Sequence, residues 1–366
     1  MFKKMLAAVV AAALMAFSAY AGEIPQTAAA SAVLYDPLTG QCLYAKAENA
    51  VVGMASTTKI MTALVALEQY DLAERVTIRP EWVGIEGSSM YLQPGECVTV
   101  TDLLYGLLLA SGNDAAAALA GLDENGADGF VDKMNEKAAA LGLRNTHFDN
   151  PSGLDGETHH TTALELAKLT AYALEQPELA SIVATRQAEV AGRSLTNHNR
   201  LLADKGVIGV KTGYTQACGR CLVTAMERQG RRLICVTLKD PADWADHRAL
   251  YVYGFGQFRQ LELVGAGDCG SIPLMSSERQ VSRLYINEFF SFSLREAELS
   301  MVKQELLGPR FLYGAVCAGQ KYGCLRLRLG DAVLFETPVY LATNSREIIP
   351  PKSLLERLVD RIRRFT

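Results

Sequence analysis

The sequence predicts an α+β domain, an antiparallel sheet covered by helices, followed by a small β-rich domain. Three observations predict it: a hairpin pattern near the N-terminus, a helical middle, and a late block of short β-type runs. Ala32-Val33-Leu34-Tyr35 and Cys42-Leu43-Tyr44 flank Asp36-Pro37-Leu38-Thr39-Gly40, whose residues are those of a turn. Ile60, Leu64 and Leu67 recur at helical spacing, and Leu103, Leu104, Leu107 and Leu108 make a second apolar stripe behind a Thr101 cap. A third helix carries Phe130, Met134 and Leu141, and a fourth runs from about Thr162 to Leu174. Val207 to Tyr214, Cys221 to Ala225 and Leu233 to Leu238 then read as strands, the last two separated by Arg228-Gln229-Gly230. A sheet built from both chain ends accommodates the early hairpin and the late strands together. From about residue 260 the texture is all β, with strict alternation over Leu325-Arg326-Leu327-Arg328-Leu329, a Gly330-Asp331 turn and a return over Ala332 to Phe335. Residues 262–345 are therefore expected to form the second domain, and 22–259 the first.

The two ends have their own character. Lys3 and Lys4 precede an apolar run from Met5 to Phe17, and Ala19-Tyr20-Ala21 offers a small-x-small cleavage site. Residues 1–21 thus read as a secretory signal peptide, and the protein is expected to act outside the cytoplasm. In the tail, residues 350–366, Leu354, Leu355, Leu358, Ile362 and Phe365 fall on one helical face with Arg357, Arg361 and Arg364 mostly opposite. Such a helix suits either a membrane interface or its own domain.

The 366 residues fit one large and one small unit, and 49% hydrophobic content supports a sizeable core. A net charge of -4 argues against a nucleic-acid partner. The eight cysteines are scattered, and Cys218-x-x-Cys221 has no second pair or nearby histidine at zinc spacing, so no metal is expected. Their pairing stays open.

The chemistry starts at Ala55-Ser56-Thr57-Thr58-Lys59, which opens the first helix. Residues three apart share a helical face, so the Lys59 amine comes within reach of the Ser56 hydroxyl. A hydroxyl becomes nucleophilic when a base removes its proton, which an ammonium cannot do. Burial and the positive end of the helix dipole both disfavour the charged amine, and the pairing is a known nucleophile–base variant. The spacing alone is weak, because Ser300-Met301-Val302-Lys303 repeats it in the β-rich part. Ser111-Gly112-Asn113 interrupts two helical runs and can turn a hydroxyl and an amide into a cleft, although a capped helix–helix turn is the commoner account of such a triplet taken alone. Val210-Lys211-Thr212-Gly213-Tyr214 brings charge, a hydroxyl and a glycine to a strand that can pair with an extended peptide.

In the order SxxK, SxN, KTG, these motifs resemble the set of the penicillin-binding proteins and serine β-lactamases. Gly87-Ser88-Ser89-Met90-Tyr91-Leu92, Asn150-Pro151-Ser152-Gly153-Leu154-Asp155, Lys211-Thr212-Gly213-Tyr214-Thr215, and Trp244 with Asp246 ahead of Tyr253-Gly254-Phe255 resemble the low-molecular-mass D-alanyl-D-alanine carboxypeptidases of peptidase family S11 in particular. The resemblance spans nearly the whole mature chain. It implies a β-lactamase/transpeptidase-like catalytic domain, a peptidoglycan stem peptide as substrate, β-lactam antibiotics as covalent inhibitors, and no cofactor. It further implies Ser56 as nucleophile, Lys59 as its base, Ser111 as proton relay polarised by Lys211, and Asn113 on the substrate amide. Lys211 and Thr212 would bind the terminal carboxylate, with His198 and Arg200 as further candidates. The backbone N–H groups of Ser56 and Tyr214, beside Gly213, would form the oxyanion hole. One departure is Cys218-Gly219, where the family usually has Ala-Gly; a buried small residue in place of alanine accounts for it.

Two other readings are compatible with this fold. A class A-like β-lactamase needs a deacylating glutamate with an asparagine four residues later. Glu175-Gln176-Pro177-Glu178-Leu179 lacks that asparagine, and Glu165 is expected on a solvated helix face. A catalytically inactive wall-binding scaffold would have lost the nucleophile or the lysine, and both are present.

Overall fold

The computed structural model describes residues 24–348, so the leader (1–21) and the basic tail (350–366) lie outside the described residues. The fold divides into two compact units after Phe258.

In the first unit, β1 (Ser31–Asp36) and β2 (Gln41–Lys46) form the expected hairpin, with Gly40 at φ +71° closing its turn. A 3-10 turn, Ala55–Thr58, then leads into α1 (Lys59–Gln69). A short pair, β3 (Arg75–Thr77) and β4 (Cys97–Thr99), precedes α2 (Val100–Leu108), α3 (Asn113–Ala120), α4 (Gly126–Ala140), α5 (Ala163–Ala173) and α6 (Pro177–Ala184). After a small hairpin, β5 (Gln187–Val190) and β6 (Arg193–Thr196), come β7 (Val207–Thr215), β8 (Gly219–Arg228), β9 (Arg231–Leu238) and α7 (Asp243–Gln257).

The main sheet is antiparallel with strand order β2-β1-β9-β8-β7, so the early hairpin and the late strands of the first unit do meet in it. Both faces are buried. Val33, Val223, Ile234 and Val236 point into a core shared with α1 to α6, while Leu34, Leu222, Leu233 and Cys235 point into a second core beneath Leu250 and Tyr251 of α7. Alternate side chains serve alternate faces, which explains why Leu233 to Val236 reads as one unbroken apolar run.

Two helix expectations need correcting. The cap of α2 is Thr99, not Thr101: the Thr99 side chain accepts from Asp102 N, and the Asp102 carboxylate accepts from Thr99 N at 2.8 Å. That reciprocal box satisfies two donors at once, whereas Thr101 lies inside the helix and donates to Leu72 O. Helix α1 is also more than a stripe, since every residue from Lys59 to Ala66 is buried. It runs through the middle of α2 to α6, and the polar groups this buries are bonded, as where Thr62 donates to Pro151 O at 2.6 Å.

The second unit opens with β10 (Phe258–Val264), β11 (Gly267–Met275), β12 (Val281–Ile286) and β13 (Phe290–Arg295). The one-turn helix α8 (Glu296–Leu299) separates these from β14 (Val302–Leu307), β15 (Leu312–Tyr313), β16 (Lys321–Leu329) and β17 (Ala332–Leu341). Six strands form one sheet, ordered β14-β16-β17-β12-β11-β15. Along β16, Leu325 and Leu327 enter the core, while Arg326 faces out and pairs with Glu336 across the strands at 2.8 Å. The second SxxK is inert here, because Ser300 caps α8 and Lys303 is an exposed residue of β14.

Candidate active site

The 3-10 turn carries Ser56 at the rim of a 650 Å³ cavity in the first unit. Its backbone is forced: Ala55 sits at φ +48°, a conformation that costs a non-glycine residue about 1 kcal/mol or more. Three contacts hold it there. The Thr57 hydroxyl donates to Met54 O at 2.6 Å, and that of Thr58 donates to Ala55 O at 2.8 Å. His159 Nε2 lies 2.7 Å from Thr58 Oγ1, and because its Nδ1 accepts from Asp149 N, the Nε2 nitrogen carries the proton. Burial lowers the His159 pKa to about 4, so the ring is neutral when it supports this turn.

Lys59 is fully buried at the start of α1. Its Nζ lies 3.0 Å from Ser56 Oγ and 2.7 Å from Asn113 Oδ1, and it also contacts Ser152 O. Burial first, and the charge of Lys211 second, push its pKa well below the ordinary lysine value; Asp114 opposes them. A neutral amine has two N–H groups and one lone pair. Asn113 Oδ1 and Ser152 O take the two hydrogens, which leaves the lone pair for the Ser56 hydroxyl proton. This arrangement can deprotonate a serine.

Ser111 is at φ +58° between α2 and α3, and Lys211 Nζ donates to its hydroxyl at 2.9 Å. Asn113 starts α3; its Oδ1 faces Lys59 and its Nδ2 donates to Glu86 O. Beside it the buried Asp114 accepts from Ser89 Oγ at 2.6 Å, Met90 N at 3.0 Å and Leu92 N at 3.0 Å. That carboxylate ties down the segment whose Gly87 and Ser88 wall the cavity.

Lys211, Thr212, Gly213 and Tyr214 lie on β7, the outer strand of the sheet. Lys211 is 1% exposed, and burial lowers its pKa to about 7. At Gly213 an added Cβ would stand 3.0 Å from Ser56 N, so the glycine lets the strand close on the nucleophile turn as well as line the cavity. Tyr214 is two-thirds exposed. Thus Ser56, Ser111, Asn113, Thr212, Gly213 and Tyr214 line one cavity, and Lys59 and Lys211 lie behind it, each bonded to one of its serines. His198 and Arg200 line it too; burial, then Lys211 and Lys59, lower the His198 pKa.

Three expectations change. Glu165 is buried, not solvated: its carboxylate accepts from Asn145 N at 3.0 Å and Thr146 Oγ1 at 2.6 Å, fastening a loop away from the cavity lining. Cys218 is half-buried under Gly53, and its Sγ lies 3.3 Å from Asp155 Oδ1; burial, the largest cause, raises its pKa. Among the described residues no cysteine is disulfide-bonded, Cys218 and Cys221 included.

The third change concerns residues that sequence reasoning did not assign. Asn150 Oδ1 accepts from Gly153 N at 2.8 Å and from Ser152 N and Leu154 N at 3.2 Å, shaping the loop that offers Ser152 O to Lys59. Gly153 has φ +87°, and a Cβ there would fall 2.0 Å from Ala55 O. Gly153→Ala should therefore displace the nucleophile turn, and a shift of about 1 Å at a reacting group can cost on the order of 10²-fold. The expected result is that loss in the rate of covalent penicillin labelling, measured by stopped-time fluorescence on gels, with α-helical content retained in circular dichroism.

With the geometry in place, comparison with known proteins gives a consistent answer. The sequence pattern of the D-alanyl-D-alanine carboxypeptidase family, peptidase S11, matches residues 18–242. The D-alanyl-D-alanine carboxypeptidase DacF of Bacillus subtilis is 32% identical over 327 residues, covering 85% of this chain and 84% of that protein. Penicillin binding protein 5 of Haemophilus influenzae superposes with a TM-score of 0.77 at 27% identity, over 89% of this chain and 100% of that one. A point mutant of the Streptomyces K15 DD-transpeptidase superposes with a TM-score of 0.61 at 36% identity, over 64% of this chain and 100% of that one. Motif order, fold and family pattern agree, and the chain belongs to the D-alanyl-D-alanine carboxypeptidase family.

Proposed function

We propose that this protein is a serine-type carboxypeptidase that removes the terminal D-alanine of peptidoglycan stem peptides through an acyl-enzyme on Ser56. The observation that carries this reading is the Lys59 amine, 3.0 Å from Ser56 Oγ with its other contacts made to two carbonyl oxygens. Ser56 Oγ attacks the carbonyl between the two terminal D-alanines as Lys59 takes its proton. Backbone N–H groups of Ser56 and Tyr214 receive the developing oxyanion, where each donor is typically worth ~10²–10³ in rate. Collapse expels D-alanine, whose amine collects the proton by way of Ser111 and its partner Lys211. Asn113 orients the substrate amide, and Thr212 and Gly213 of the outer strand pair with the peptide backbone. Water then resolves the acyl-enzyme. β-Lactams enter the same path and stall as acyl-enzymes.

A β-lactamase would need a carboxylate near Ser56 to activate that water. Of the cavity's lining residues only Asp243 is an acid, and it is committed to Arg220 at 2.8 Å. We further assign the protein to the outer face of the cytoplasmic membrane, exported by its leader, with the basic tail as a peripheral contact; among the described residues no helix is long and apolar enough to cross a membrane. Incubation with a synthetic stem pentapeptide, followed by mass spectrometry, should show loss of one alanine and nothing further. An intact peptide would refute the assignment.

A further inference from the structure

The second unit has an apolar corner that its own core does not take up. There β15, a two-residue strand at the edge of the six-stranded sheet, pairs in parallel with the end of β11, Leu274 against Leu312 and Met275 against Tyr313. Leu274 and Leu312 pack on the core of the unit. Neighbours along a strand point to opposite faces, so Phe311, Tyr313 and Met275 are turned away from that core. The Phe311 and Tyr313 rings meet edge to face at 5.9 Å. Gly314 N donates to Met275 O at 2.9 Å, and Ile348 N donates to Ser276 O at 2.8 Å, which brings Ile348 to the same corner. The four large side chains, Met275, Phe311, Tyr313 and Ile348, are 45% to 70% exposed. Monomeric proteins rarely leave such groups clustered at the surface without a use.

Position and charge identify the partner. Ile348 is the last described residue, and Leu354, where the apolar face of the tail begins, follows six residues later. An extended chain spans at most about 3.5 Å per residue, so the two lie within ~21 Å of each other. A tail lying in a membrane interface therefore brings this corner to the same surface. The whole chain carries a net charge of -4, yet at this corner exposed Arg279, Arg310 and Arg346 outnumber Glu278 and Glu347. The tail continues the excess, with Lys352, Arg357, Arg361, Arg363 and Arg364 against Glu356 and Asp360. Tyrosine favours the headgroup level of a bilayer, and arginines beside it attract anionic headgroups.

We propose that the Phe311–Tyr313 tip, with Met275 and Ile348, inserts into the anionic outer leaflet of the cytoplasmic membrane as a second contact beside the tail. The proposal rests on the membrane assignment above. Two contacts fix how the second unit stands on the bilayer, which one contact does not.

The test uses the full mature chain, tail included, and vesicles of phosphatidylglycerol mixed with phosphatidylcholine. Tyr313→Trp places a reporter at the tip, read after subtracting the spectrum of the unsubstituted protein, whose Trp82 and Trp244 both lie in the first unit. Its emission should shift to the blue on vesicle binding and be quenched by lipids brominated on their acyl chains. Phe311→Ser combined with Tyr313→Ser should weaken partition onto these vesicles on the order of 10-fold, with circular dichroism and melting temperature close to wild type. Arg310→Gln should cost about five-fold at low salt and less at high salt. Binding without the shift and the quenching, or with partition unchanged in the double serine variant, would leave the tail as the sole contact and overturn the tip. An emission already blue before vesicles are added would show the tip covered by the chain's own tail or by a second copy, and would overturn it too. A mature chain that binds no vesicles overturns the membrane assignment itself, and the tip with it.

Discussion

Ser56→Ala should abolish covalent labelling by a fluorescent penicillin and reduce pentapeptide turnover to background. Both reactions pass through a bond to Ser56 Oγ, the hydroxyl that the Lys59 amine faces. Ser111 Oγ lies against Lys211, and the Lys59 amine that would serve a nucleophile faces Ser56. Alanine removes one hydroxyl from a turn held by Thr57, Thr58 and His159, so the fold should survive. A melting temperature close to wild type, with no label on the gel, is the expected pair of results. Residual label at another residue would place the nucleophile elsewhere.

Lys59→Arg should be nearly as damaging, for a different reason. Arginine fills much of the same space and keeps a positive charge, but it does not lose a proton in proteins. If the amine acts as a base, this variant loses the whole of general-base assistance, which is typically worth ~10²–10⁴-fold. Forcing a permanent charge into a fully buried site also costs stability, so the melt should fall while some folded protein remains. The pH profile of the wild-type protein carries the same logic. Burial and Lys211 lower the Lys59 pKa, so the acylation rate should rise with pH through that lowered value and level off well below the ordinary lysine range. The stability term has a matching sign. Between the folded and the unfolded pKa of Lys59 the unfolded chain binds the extra proton, so this group's contribution to stability grows as pH rises across that window.

The parts of this site that could be read from sequence are the contiguous ones. Ser56 and Lys59 declare themselves because three residues of helical rise fix their separation, and the strand pattern around Lys211 placed it correctly on an edge. The alternation of Val33 and Leu34, or of Ile234 and Cys235, serves two cores and reads as plain hydrophobicity until the helices on both faces are known. Asp114 escaped notice, and Asn150 and Gly153 stood only within a family-like stretch without a role, because what they do lies in partners elsewhere along the chain. Asp114 binds backbone 22–24 residues away, and Gly153 is defined by its clash with Ala55 O. Glu165 misled for the same reason: a helix position says where a side chain points, but the loop at Asn145 decides whether water is there.

Acylation at Ser56 depends on an amine that holds no charge while it faces the Ser56 hydroxyl. Nuclear magnetic resonance of the protein with isotope-labelled lysine reads that ionisation directly, with the Lys59 signal assigned by its loss in Lys59→Arg. A neutral Lys59 amine at a pH where the surface lysines are all still charged is the predicted result. A Lys59 signal that titrates together with the surface lysines, near their ordinary value, would contradict it.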